Sequence, residues 1–131
     1  MIKKFNLLLF LLLILPLSLI FLSMKVNAIE VDPLVWHDYE YFNRGLDPGE
    51  CFNSTREPYA VCVHISTISP PGYKLDVTIY VNGVPKWSGQ LGVGKSSPTI
   101  TCNDQSTTIH IANPNGNPYL QVSGYIDWVM H

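Results

Sequence analysis

The segment Lys74-Leu-Asp-Val-Thr-Ile-Tyr-Val-Asn-Gly-Val-Pro-Lys-Trp87 decides the fold class of this chain. Apolar and polar residues alternate from Leu75 to Val81, which is the period of a strand with one buried face. Asn82-Gly83 follows, and this dipeptide is typical of the tight turn between two antiparallel strands. The segment therefore predicts a β-hairpin.

The register of this hairpin depends on which side chains share a face. A two-residue turn would set Ile79 opposite Lys86 and mix apolar with polar side chains. A three-residue loop that ends in a left-handed Gly83 instead sets Ile79 opposite Pro85, and we expect this loop. Because proline has no backbone N–H to donate, we also expect the second strand to lie at a sheet edge.

Other segments of the chain carry strand periodicity, and turn-forming residues separate them. They span residues 36–42, 59–65, 97–102, 106–112 and 119–130. No stretch after residue 28 shows helical periodicity. Short strands separated by turns are typical of sandwiches and barrels. We therefore expect an all-β fold, a small antiparallel two-sheet β-sandwich with immunoglobulin-like or jelly-roll-like connections.

The N-terminus has the pattern of a secretory signal peptide. Lys3 and Lys4 precede an apolar run over residues 7–22, and the small residues Val26 and Ala28 follow at the positions that a signal peptidase reads. We expect residues 1–28 to be a signal peptide and residues 29–131 to be one secreted β-sandwich domain. The alternative interpretation of the apolar run is an uncleaved membrane anchor.

Charge excludes one class of partner. Residues 29–131 contain five basic and ten acidic side chains, which gives a net charge of −5. Nucleic-acid binding depends on clustered Lys and Arg, so we expect no nucleic-acid partner. A basic patch for anionic lipid is disfavoured for the same reason, and we expect no stable membrane insertion once the signal peptide is removed.

Three cysteines lie in the expected domain: Cys51, Cys62 and Cys102. If residues 50–53 fold back on the strand at 59–65, Cys51 lies directly opposite Cys62, within reach of a disulfide. We therefore expect a Cys51–Cys62 disulfide, as is common in small exported domains. Cys102 shares its parity with an apolar neighbour, which predicts a buried free thiol.

The richest aromatic cluster is Trp36-His-Asp-Tyr-Glu-Tyr-Phe42. Rings beside carboxylates can stack on a sugar or anchor a protein partner, so the candidate binding residues lie here. They are Trp36, Asp38, Tyr39, Glu40 and Tyr41. Strand alternation would place Trp36, Asp38 and Glu40 on one side. The alternative is an N-terminal strand whose rings only cover the end of the sandwich.

Motifs for catalysis, phosphate binding and zinc are missing from the sequence. His64 and His110 stand at polar positions of predicted strands, and a zinc site that joined them would need adjacent strands and a third ligand. The acidic residues between 32 and 50 match no calcium loop. We expect no metal and no other cofactor.

Three function classes fit these features. We favour a secreted, non-enzymatic binding or structural module with a protein or glycan partner. The second class is a secreted effector, either a small toxin or an enzyme inhibitor. The third is a small secreted hydrolase that uses His37 or His110 with an aspartate, which requires a histidine and a carboxylate within hydrogen-bond reach in one concavity.

Overall fold

Strands alone make up the regular structure of residues 34–131, the part of the chain that the computed structural model describes. Their bounds are β1 (Trp36–Leu46), β2 (Cys51–Arg56), β3 (Ala60–Ser69), β4 (Leu75–Val81), β5 (Val84–Leu91), β6 (Ile100–Thr101), β7 (Thr107–Ala112) and β8 (Leu120–Met130). Within this range no helix could cross a membrane. The signal peptide predicted over residues 1–28 lies outside the described residues.

The eight strands form two antiparallel sheets of four. The front sheet has the order β1-β8-β3-β6, and the back sheet has the order β2-β7-β4-β5. The pairs β1–β8, β2–β7, β3–β6 and β4–β5 describe one long antiparallel hairpin rolled into two sheets. This is the jelly-roll connection, so the predicted all-β sandwich is confirmed in its jelly-roll form.

The core lies between the sheets because alternate residues of each strand point inward. In the front sheet Val61, Val63 and Trp128 have no exposed surface. In the back sheet Val77 and Ile79 are equally buried. The alternation that predicted these strands is therefore the alternation of core and outer face.

The β4–β5 hairpin corrects the expected loop. The turn consists of Asn82 and Gly83 alone, both with positive φ (50° and 76°). Ile79 pairs with Trp87, not with Pro85. A β-bulge explains the difference: Lys86 is an extra residue in β5, and it shifts the register so that Trp87 packs against the core. The prediction that β5 is an edge strand is confirmed.

The expected Cys51–Cys62 disulfide is not formed, and its premise is wrong. Cys51 lies in the back sheet opposite Ala112, whereas Cys62 lies in the front sheet opposite Asp127. The short connection after β2 carries the chain across to the other sheet and does not fold it back on itself. All three cysteines are free, and Cys102 is buried as expected.

Candidate functional site

The outer face of the front sheet carries a group of aromatic side chains, which we call the tyrosine face. It comprises His37, Tyr39 and Tyr41 of β1, His64 of β3 and Tyr125 of β8. These strands are neighbours in the sheet. Next to His64 and Tyr125 the inward positions are core residues, as Val63 and Ile126 show, and next to the rings of β1 they are the side chains that face β2. The five rings therefore share one outer surface because strand parity places them there.

The pairing register sets the rings in a row. Tyr41 lies directly opposite Tyr125, Tyr125 opposite His64, and His64 opposite Ser96. At a strand spacing of about 4.8 Å this row is about 14 Å long. The row runs across the sheet, at right angles to the strands. Its length suits a short extended ligand.

The rings contact one another along this row. The centroid of Tyr125 lies 5.8 Å from that of Tyr41, 5.6 Å from that of Tyr39 and 4.9 Å from that of His64. The His64 ring is stacked on the Tyr125 ring, and the Tyr39 ring contacts the Tyr125 ring edge to face. Such contacts orient the rings before any ligand arrives.

Exposure differs along the row. Tyr41 is 75% exposed and Tyr39 is 46% exposed, whereas Tyr125 and His64 are half-buried between their neighbours. The two central rings thus form the floor of the row, and the two tyrosines of the edge strand β1 are its more exposed members.

Polar groups border the rings. Asp127 accepts a hydrogen bond from His37 at 2.8 Å, and Ser96 Oγ lies 2.7 Å from His64 Nδ1. Asp127 also raises the pKa of Tyr39, with smaller contributions from desolvation and from the neighbouring tyrosines. The Tyr39 phenol is therefore a neutral hydrogen-bond donor over the physiological pH range.

The structure divides the predicted binding residues between two sides of β1. Tyr39 and Tyr41 belong to the tyrosine face, but Asp38 and Glu40 point the other way, toward β2. Glu40 accepts hydrogen bonds from Ser54 and from Trp128 Nε1, at 2.8 and 2.9 Å.

Arg56 completes this inward-facing group. Its guanidinium forms an ion pair with Asp38 and lies 3.5 Å from Glu40. Trp36 has the strand parity of these carboxylates and is 49% exposed at the start of β1. Asp38 and Glu40 are thus engaged in joining the two sheets and do not accompany the tyrosine rings.

Sequence reasoning missed Tyr125, His64 and Asp127 as members of the site. Each lies at an outward position of its strand, and the alternation of the sequence was enough to predict that its side chain points outward. Only the pairing of β8 with both β1 and β3 brings them beside Tyr39 and Tyr41. His64 stands at the polar position of its strand, as the alternation predicts, and it contacts Tyr125 and Ser96 there.

The outer face of the back sheet is polar and has a shallow groove of about 500 Å³. Its side chains bond one another across the strands, as Gln90 donates to Asp76 at 3.0 Å and His110 lies 2.7 Å from Asn53. His64 and His110 lie in different sheets, so the zinc site that would join them is not formed. In residues 34–131 no three His, Cys, Asp or Glu side chains are grouped as metal ligands.

A histidine and a carboxylate do come within hydrogen-bond reach, as the hydrolase hypothesis requires. His37 and Asp127 are this pair, but the His37 side chain is 51% exposed on the open face. Neither residue lines the back-sheet groove or the groove described below. The pair therefore meets the distance requirement of that hypothesis and lies outside both of these grooves.

No protein-family model matches the chain, and no curated protein matches it in sequence. Among solved structures, it is similar to the CBM36-1 domain of a multidomain xylanase from the hindgut metagenome of Trinervitermes trinervoides. The TM-score is 0.45 at 9% sequence identity, over 75% of this chain and 98% of that domain. A likeness at this level assigns no ligand to this chain.

Proposed function

We propose that this chain is an exported, non-enzymatic glycan-binding module and that the tyrosine face is its binding site. The observation that carries the proposal is the row of exposed and half-buried rings across three strands, spaced 4.9 to 5.8 Å between centroids. Exposed aromatic rings can pack against the apolar C–H side of sugar rings.

The border of the row supports a sugar ligand over an apolar one. Sugars carry hydroxyl groups around their rings, and these need hydrogen-bond partners when water is displaced. Asp127, Ser96 and the Tyr39 phenol supply acceptors and donors beside the rings. The site can therefore contact the apolar face of a sugar with its rings and bind the surrounding hydroxyl groups with its polar side chains.

Rigid tyrosines favour binding because little conformational entropy is lost when they are covered. The half-buried ring of Tyr125 is held between Tyr39, Tyr41 and His64. A preformed surface loses less free energy on binding than one that must be ordered. The jelly roll thus presents the site on strands and not on mobile loops.

Affinity electrophoresis against a panel of soluble polysaccharides tests the proposal. Truncation of an aromatic at a binding centre costs about 1–3 kcal/mol, so we expect Tyr41→Ala and Tyr125→Ala to weaken binding by about tenfold or more. Tyr80→Ala is the matched control, because Tyr80 is a half-buried tyrosine in the back sheet.

Two results would overturn the proposal. One is that the wild-type protein binds no polysaccharide of the panel. The other is that Tyr41→Ala and Tyr125→Ala bind as tightly as Tyr80→Ala while all three variants keep the far-ultraviolet circular dichroism of the wild type.

A further inference from the structure

A second groove lies beside the tyrosine face, between the loop that precedes β4 and the segment that follows β5. Its volume is about 570 Å³. One wall consists of Gly72, Tyr73 and Lys74 from the first loop. The other consists of the last two residues of β5 and of four residues from the segment that follows it: Gln90, Leu91, Gly92, Val93, Lys95 and Ser96. Lys95 belongs to the second set, so both walls of the groove contribute a lysine.

The groove and the tyrosine face meet at Ser96. This residue lines the groove, and its Oγ lies 2.7 Å from His64 Nδ1 at the end of the ring row. The segment around Ser96 is held against β3 by backbone hydrogen bonds, in which Ile65 N donates to Lys95 O at 3.0 Å and Gly94 N donates to Ile65 O at 2.8 Å. A ligand that follows the row from Tyr41 to Ser96 therefore arrives at the groove.

The charge of the groove differs from that of the molecule. Residues 29–131 have a net charge of −5 with only five basic side chains, and two of the five line this groove. In residues 34–131 the ion pairs involve Arg56, His37 and His131, but neither lysine of the groove. Within that range the side chains of Lys74 and Lys95 therefore have no ion-pair partner with which an external anion would compete.

The carboxylate of Asp76 lies near the groove in sequence but is already hydrogen-bonded. Asp76 follows Lys74 by two residues, and it accepts a hydrogen bond from Gln90 Nε2 at 3.0 Å. It does not line the groove. The Tyr73 ring is 36% exposed at the wall and adds an aromatic surface beside the two lysines.

We propose that this groove binds the anionic substituent of an acidic glycan, a carboxylate or a sulfate ester, while the sugar rings of the same chain lie along the tyrosine face. The inference rests on the proposed function and names the class of glycan. Lysine ammonium groups form charge-assisted hydrogen bonds with such anions, and an exposed pair of this kind is weakened by salt. Uronic acid polymers and sulfated polymers both have the required chemistry.

The experiment compares each acidic glycan with its neutral counterpart. The probes are oligogalacturonate, alginate and hyaluronan, each with its carboxyl-reduced form, and dextran sulfate with unsulfated dextran. Binding is measured by isothermal titration calorimetry at 50 and 300 mM NaCl. We expect at least one acidic form to bind tenfold more tightly than its neutral counterpart at 50 mM NaCl, with the ratio falling at 300 mM. The pairs that show the ratio distinguish carboxylate from sulfate.

Variants locate the effect. We expect Lys74→Ala/Lys95→Ala to reduce the acidic-to-neutral ratio to about one without weakening the neutral form. Lys86→Ala is the matched control, since Lys86 lies in the β5 bulge and does not line the groove, and it should keep the ratio. The inference is overturned if no acidic form binds more tightly than its neutral form, or if the double variant keeps the ratio.

Failure of the inference and failure of the proposed function give different results. If Tyr41→Ala and Tyr125→Ala weaken binding of neutral forms but the lysine variants change nothing, only the inference fails. If the tyrosine variants leave all binding unchanged, the proposed function fails as well.

Discussion

At the scale of single residues, the three cysteines differ in how far their thiols reach solvent. Cys51 is exposed on the edge strand β2, and Cys62 is half-buried with its thiol 3.3 Å from the Ser97 carbonyl oxygen. Cys102 is only 2% exposed. Burial raises the pKa of the Cys102 thiol, although a hydrogen bond with Thr107 partly opposes the effect.

This order predicts the order of chemical modification. Reactivity requires access and the thiolate form, and a raised pKa leaves less thiolate. We expect maleimide to label Cys51 first, Cys62 more slowly and Cys102 only after unfolding in guanidinium chloride. Peptide mass spectrometry of protein quenched at successive times measures the three rates, with Cys51→Ser as the control for assignment.

The opposite results are equally specific. A Cys51–Cys62 linked peptide in protein purified without reductant would contradict the strand assignment of both residues. Labelling of Cys102 as fast as that of Cys51 would contradict its burial.

At the scale of strands, Gly124 determines how closely β3 approaches β8. The register between these strands shifts between Ile65 and Thr67, which marks a bulge in β3. A Cβ atom at residue 124 would collide with the backbone oxygen of His64 and would lie 2.7 Å from Phe42 Cζ. Glycine is required there because the neighbouring backbone occupies the space of a side chain.

Gly124→Ala should therefore destabilise the protein. Overpacking of this kind costs about 1–3 kcal/mol, and we expect a lower urea midpoint with an unchanged m-value. Gly116→Ala is the matched control, because nothing lies within 4 Å of a Cβ atom at that position. Equal urea midpoints for the two variants would show that β3 and β8 are farther apart than the structure places them.

At the scale of the whole molecule, a cluster of three charged side chains connects the edge strands of the two sheets. Strands β1 and β2 belong to different sheets and face each other through Asp38, Glu40 and Arg56. Glu40 also accepts the hydrogen bond of Trp128 Nε1, and the Trp128 side chain has no exposed surface. The fold thus relies on Glu40 to satisfy a buried donor at the open side of the sandwich.

Replacement of Glu40 separates its two roles. Glu40→Ala leaves the Trp128 N–H buried without a partner, and we expect a loss of about 1–3 kcal/mol in the free energy of unfolding. Glu40→Gln keeps an amide oxygen for that N–H and loses only the charge beside Arg56, a partly exposed contact worth about 0–1 kcal/mol. Urea unfolding of both variants measures the difference. Equal losses would mean that the ion pair, and not the hydrogen bond, is the important contact.

The same carboxylates show how far sequence patterns predict a site. Alternation correctly separated Asp38 and Glu40 from Tyr39 and Tyr41, because side chains of one strand alternate without regard to the rest of the fold. The alternation did not reveal which side of β1 faces only solvent and which side faces another strand. That depends on β2, which approaches β1 only through the packing of the sheets.

Other features of the fold also divide into those that the sequence pattern predicts and those that it does not. The sequence by itself determined the all-β class, the strand within residues 59–65 and the edge position of β5, because each depends on local periodicity or on a proline. The bulge at Lys86 was not predictable from the turn residues, since the gain from packing Trp87 into the core outweighed the regular ladder.

Only the tertiary structure decided the candidate site. Tyr41, Tyr125 and His64 are separated by up to 84 positions in the chain and meet because β8 lies between β1 and β3. It likewise decided that Cys51 and Cys62 lie in different sheets, although they are close in sequence. The physical reason is that local periodicity determines which face a side chain occupies, whereas burial of both inner faces against each other determines which strands become neighbours.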